Sequence, residues 1–118
     1  MAKKDELGRW GEEVAAERLT RLGYDVVDRN WRCSQGEIDI VARVHGGTAF
    51  VEVKTRSSLA YGHPFEAITS EKLARLHGLA IAWCRAHAGR HGRLRVDVVA
   101  VVGKAGGDAT LELLEDVF

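Results

Sequence analysis

A chain of 118 residues, 46% hydrophobic and 29% charged, is long enough to bury one core without disulfides or a structural metal, and too evenly mixed to be disordered. No apolar run reaches the length of a membrane span, so no membrane partner is expected. Its 17 Lys and Arg balance 17 Asp and Glu, and a net charge of zero excludes a protein that coats nucleic acid by bulk charge alone.

One domain over residues 1–118 is the expectation. The amino-terminal segment carries Lys3 and Lys4 without an apolar signal core behind them, which points to the cytoplasm. Cys33 and Cys84 stand far apart with no nearby ligand partner, so they read as reduced packing thiols.

Residues 5–22 read as an amphipathic helix, with Leu7, Trp10, Val14, Ala15, Leu19 and Leu22 at helical spacing and Gly23 placed to end it. Glu13 and Glu17 fall on its polar side, and Glu17 with Arg21 forms an i,i+4 pair. Glu12 borders the apolar stripe and therefore turns further inward than Glu13, while Arg18 lands within the stripe and must reach water with its long side chain.

Three strands are predicted next, over 24–31, 37–44 and 48–54, the last two joined as a hairpin through His45, Gly46 and Gly47. Residues 56–65 read as a loop because Gly62 and the single proline, Pro64, oppose regular structure. A second helix starts at a Thr69 or Ser70 cap, buries Leu73, Leu76, Ala80, Trp83 and Cys84, and stops near Gly89. Strands over 94–102 and 110–114 follow. The order is α, three β, α, two β, an α/β chain with a mixed sheet flanked by helices. The three tryptophans read as core aromatics.

Within this order the stretch GEIDIVARVHGGTAFVEVKTRS, residues 36–57, places charges inside two apolar strands. Alternation puts Phe50, Glu52 and Lys54 on one face of their strand, and Glu37, Asp39 and Val41 on one face of the other, opposite Ile38 and Ile40. The hairpin then brings Asp39 to Glu52 and Lys54. Two crowded carboxylates need a cation, and a divalent ion such as Mg2+ accepts hard oxygen ligands. Such an ion can lower a water's pKa and polarise a phosphodiester oxygen, while Lys54 can steady the attacking water or the charge developing on phosphate. If the strand continues, Arg56 shares this face and can bind phosphate.

Between positions 72 and 95 the charged residues are Lys72, Arg75, Arg85, Arg90, Arg93 and Arg95, with no acid among them. Such a run is either a solvated face or a surface for phosphate. Arg95 and Asp97 share a strand face, where an ion pair is the simplest account.

Asp39 followed by Glu52-Val53-Lys54 resembles the PD-(D/E)XK nuclease superfamily, which includes many restriction enzymes and Holliday-junction resolvases. The wider pattern is similar to the YraN family of small bacterial proteins: Gly11-Glu12, Gly23-Tyr24, Asn30, Gly36-Glu37-Ile38-Asp39, Phe50 to Lys54 with Arg56, Gly62 with Pro64, Lys72, and Arg95 with Asp97. The match covers roughly residues 7–118. The resemblance implies a restriction-endonuclease-like αβββαβ core and assigns Asp39, Glu52 and the Val53 carbonyl as metal ligands, with Lys54 as the catalytic lysine. It adds Glu12 as the helix carboxylate completing the metal shell, and Glu37 as a supporting or structural residue. Ile38 stands where the superfamily's nominal proline would be, a departure shared by many members.

These readings lead to a Mg2+- or Mn2+-dependent endonuclease-like protein acting on DNA, with branched or damaged structures as the suggested substrates. Arg56 and Lys72 are the expected backbone contacts. A homodimer is expected from size alone, since so small a nuclease has little surface to embrace a duplex. The competing reading is a nucleic-acid-binding module that keeps the fold without turnover.

Overall fold

The computed structural model describes residues 5–117, so Lys3 and Lys4 lie outside the described residues. Helix α1 (Glu6–Arg21) begins where the Asp5 carboxylate accepts a 2.6 Å hydrogen bond from the Gly8 amide, one of the donors a first turn leaves unmatched. Its buried face is Gly11, Glu12, Ala15 and Leu19. Arg18 is exposed, as its reach required, and Leu22 caps the helix in solvent instead of joining the core.

Strands β1 (Asp25–Cys33), β2 (Gly36–Val44) and β3 (Gly47–Arg56) form an antiparallel meander. The β2–β3 turn has positive φ at both central residues, His45 (51°) and Gly46 (74°), the requirement of a type I′ hairpin whose twist matches its strands. A short 3-10 helix (Pro64–Ala67) then ends the stretch read as a loop. His63 caps it: Nδ1 accepts from the Phe65 amide, and Nε2 lies 2.9 Å from a Glu112 oxygen. His63 is thus part of the scaffold. Helix α2 (Ser70–Ala86), capped by Thr69, supplies the crossover that lets β4 (Leu94–Gly103) run parallel to β3, and β5 (Ala109–Leu114) returns antiparallel to β4. The mixed sheet has the order β1-β2-β3-β4-β5.

Each face of the sheet carries its own core. Ala15, Leu19, Ile40, Val51, Val53 and Val99 meet under α1, whereas Ile38, Val41, Phe50, Leu76, Leu79 and Trp83 meet under α2. Trp10 packs against the first cluster and Trp31 against the second, so all three indoles serve packing. Cys33 and Cys84 are free thiols beside the α2-side cluster. No helix among the described residues is long and apolar enough to cross a membrane.

One expectation fails at the residue that matters most. Strict alternation groups Val41 with Asp39 and Ile40 with Ile38, but Val41 sits with Ile38 under α2, and Ile40 sits under α1. The alternation breaks between Asp39 and Ile40. The break coincides with two features: β2–β3 pairing runs only to Ile40–Val51, which frees β2 from that ladder, and Asn30 of β1, between the Arg29–Ile40 and Trp31–Ile38 pairs, has φ +53°.

Candidate metal centre

Beyond Ile40 and Val51 the strands β2 and β3 part, and the backbone amides of the diverging ends need partners other than each other. Asp39 answers for one of them. Its Oδ2 accepts a buried 2.8 Å hydrogen bond from the Val53 amide, which fixes the carboxylate in the fork.

Glu12 reaches this fork because α1 lies unusually close to β3. A side chain at Gly11 would overlap Thr55, so glycine is what permits the approach. The next residue, Glu12, is then only 5% exposed, and oxygens of Glu12, Glu37 and Asp39 lie within 4.8 Å of one another. Glu37 is also held at 2.6 Å by the Arg32 Nε. Three carboxylates from a helix and a strand therefore converge on the α1 side of the sheet.

Glu52 approaches from the other side, on the face that Phe50 shares with α2. It stays outside the 4.8 Å group but lines the same cleft as Asp39. Burial pushes its carboxyl up to about 8, and the contact with Asp39 and the Asp39 charge add to the shift; Lys54, whose Nζ lies 3.6 Å from Oε2, pulls the other way. A carboxyl whose ionisation is opposed by burial and by a neighbouring acid marks a place where a cation would favour the charged form. The donors are carboxylate oxygens, a set that suits Mg2+ or Mn2+. Asp39, Glu12, Glu52 and Lys54 all line one open cleft of about 410 Å³.

The residues singled out in sequence thus divide. Asp39, Glu12, Glu52 and Lys54 come together, and Val53 contributes its amide to Asp39. Arg56 ends β3, half-buried, on the alternation of Glu52 and Lys54. Lys72 lies in the first turn of α2, where its amide donates to the Thr69 cap. Glu37, read as supporting or structural, belongs to the acidic group itself. Its alternation with Asp39 was a usable signal, but the proximity to Glu12 depends on the Gly11–Thr55 contact, which no local pattern encodes.

The basic run between 72 and 95 is partly structural. Arg93 bridges to Asp116 at 2.6 Å, and Arg95 binds the fully buried Asp97 at 2.9 Å and Glu115 at 3.1 Å. Asp97 also accepts from the Tyr24 hydroxyl at 2.6 Å and from the Asp116 amide at 2.9 Å. Burial, with the Asp97 contact adding to it, pushes the Tyr24 phenol above its ordinary range. The acidic tail is therefore stitched onto β4 and onto the turn after α1.

Taken together, the helix, three strands, helix and two strands with a carboxylate cluster at the β2–β3 fork define an α/β protein with an acidic site able to hold a metal ion. The chain belongs to the uncharacterised protein family UPF0102, whose pattern matches residues 11–101 and so includes the whole cluster. It is 58% identical over 117 residues, 99% of each chain, to a UPF0102 protein of Arthrobacter sp.. A UPF0102 protein of Clavibacter michiganensis is 51% identical over 114 residues, 97% of each chain, and one of Leifsonia xyli is 58% identical over 102 residues, 86% of each.

Proposed function

We propose that this protein is a divalent-metal-dependent nuclease that hydrolyses phosphodiesters of DNA, with branched or damaged structures as its preferred substrates. The observation that carries this reading is the gathering of Glu12, Asp39, Glu52 and Lys54 in one open cleft, with Glu37 within 4.8 Å of Glu12 and Asp39. A purely structural acidic cluster would be neutralised by cations of the protein, as Asp97 is; here Glu37 is paired with Arg32 and Glu52 with Lys54, while oxygens of Glu12, Glu37 and Asp39 still lie within 4.8 Å of one another.

In this reading Glu12, Glu37 and Asp39 hold the cation, and Glu52 joins them as it ionises. Bound Mg2+ or Mn2+ supplies Lewis-acid polarisation of a phosphate oxygen and a water of lowered pKa. Asp39 is kept in place by the Val53 amide, so its orientation survives when substrate enters. Lys54 offers its ammonium to the charge that develops on the scissile phosphate or to the attacking water. Arg56 and Lys72 serve the flanking backbone, and a second copy of the chain would extend the contact with a duplex.

The test is cleavage of linear, flapped and four-way DNA with Mg2+ and with Mn2+. Metal-dependent cutting that disappears in Asp39→Ala and Lys54→Ala supports the reading, and inactivity on every substrate with both metals overturns it. Binding without cleavage that persists in Asp39→Ala would instead identify a non-catalytic nucleic-acid-binding module.

A further inference from the structure

A second, larger cleft of about 690 Å³ opens on the α1 side and shares the Glu12 wall with the acidic fork. Arg9, Arg29 and Arg32 line it, with Trp10 as its aromatic wall. The three arginines come from the first turns of α1 and from β1, so they form no basic run in the sequence. Glu13 holds the Arg29 Nη1 at 2.8 Å, which aims the guanidinium, while Arg29 Nε is buried with no hydrogen-bond partner among the described residues. A planar guanidinium with donors left over is suited to a phosphate oxygen.

The charges around this cleft nevertheless balance: Glu6, Glu12 and Glu13 stand against the three arginines. Arg32 is further occupied by Glu37, at 2.6 Å. Both Glu12 and Glu37 belong to the carboxylate group of the fork. The same two side chains therefore suppress the positive charge of one cleft and offer metal ligands to the other.

We propose that this cleft binds the phosphate backbone of a nucleic-acid strand leaving the fork, and that it becomes cationic only when a divalent ion occupies Glu12, Glu37 and Asp39. The proposal rests on the metal-site reading above and deepens it: strand binding is coupled to metal loading through Glu12 and through competition between Arg32 and the ion for Glu37. Coupling of this kind is reciprocal, so the strand must tighten metal binding by the same factor.

The experiment uses the full chain carrying Lys54→Ala, which stops turnover, and fluorescence anisotropy of labelled single-stranded DNA and RNA of one sequence, in Mn2+ or in EDTA. Calorimetry measures Mn2+ binding separately. Mn2+ should tighten strand binding by at least about 5-fold. Adding Arg29→Gln or Arg32→Gln should remove most of that gain and lower the salt slope by about one per arginine. Arg32→Gln should also bind Mn2+ more tightly than its parent, because Glu37 is no longer shared; a merely structural arginine would not do this.

Strand affinity that is equal in Mn2+ and EDTA, in a protein that calorimetry shows to bind Mn2+, overturns the proposal and leaves the metal site standing. So does a metal-dependent gain that both arginine variants keep. Absence of Mn2+ binding removes the metal-site reading and this proposal together. A gain seen with DNA and not with RNA, or the reverse, supports the proposal and names the strand.

Discussion

Two buried acidic regions of this molecule are built on opposite rules. Around Asp97, each oxygen meets a donor: the Tyr24 hydroxyl, the Arg95 guanidinium and the Asp116 amide surround a side chain with no exposure. At the β2–β3 fork, the carboxylates of Glu12, Glu37, Asp39 and Glu52 gather beside Lys54 and Arg32, and Glu52 is driven up to about 8. The first arrangement spends its polar groups on holding the tail to β4. The second leaves electrostatic repulsion that a ligand can relieve, and such perturbed acids in a cleft are the mark of a functional site.

The largest effect should come from breaking the satisfied region. Asp97→Ala leaves Arg95, only 12% exposed, and Tyr24 without their common partner, and should cost about 3 to 5 kcal/mol in urea unfolding. Comparable loss from Asp39→Asn would erase the distinction between the two regions. Lys54→Ala sharpens the contrast from the other side: metal-dependent cleavage should fall by about 10²- to 10⁴-fold with the melting temperature nearly unchanged. A drop in activity that simply tracks unfolding would remove Lys54 from the chemistry.

The pH response separates the regions further. Because the folded carboxyl of Glu52 titrates near 8 and its ordinary value is 4.5, its contribution to stability is complete below about pH 4.5 and is lost as pH rises through about 8. In EDTA, Glu52→Gln should therefore be more stable than the parent at pH 9 by on the order of 1 to 3 kcal/mol, and equal to it at pH 4. Thermal melts across that range decide it. With Mn2+, the parent should recover at high pH, since the metal takes the ionised form.

Gly11→Ala tests how the fork is assembled. The added methyl collides with Thr55, which should cost about 1 to 3 kcal/mol and weaken Mn2+ binding as Glu12 is displaced. Thr55→Gly in the same chain, which also removes the Cβ that would stand 2.8 Å from the new methyl, should restore Mn2+ binding; independent, additive losses would mean that the contact does not position Glu12. The smallest change belongs to Arg21→Gln, which breaks the exposed Glu17–Arg21 pair and should move stability by about 0.3 to 0.5 kcal/mol. Either acidic region should be indifferent to it.

The elements were legible in sequence because their periodicity is strong and their punctuation is clear: the α1 stripe, the His45-Gly46-Gly47 turn and the apolar β4 all fall where the pattern places them. Ends moved by a few residues. Cys33, for example, extends β1 by pairing with Gly36 across a tight turn. That Asp39 and Glu52 would come near one another was legible from the turn, but not the manner: the ladder ends at Ile40–Val51, and Glu52 arrives from the face opposite the Glu12, Glu37 and Asp39 group. What local pattern could not supply was the reversal at Asp39–Ile40, which lies opposite the positive-φ Asn30 of the neighbouring strand. Nor could it supply the company of Glu37 and Glu12, which needs α1 packed onto β3, or the gathering of Arg9, Arg29 and Arg32 around one cleft. Conversely, the basic run looked available for phosphate, yet Arg93 and Arg95 are engaged by acids of the tail.

The hydrogen bond from Val53 to Asp39 has a practical use. Most amides inside a sheet report on their neighbouring strand, but this one reports on a carboxylate. Its proton resonance should shift when Asp39 gains or loses a proton or a cation, and its exchange with solvent should quicken when that grip loosens. A single 15N-labelled valine would then serve as a built-in spectroscopic gauge of the fork, readable before any substrate has been found.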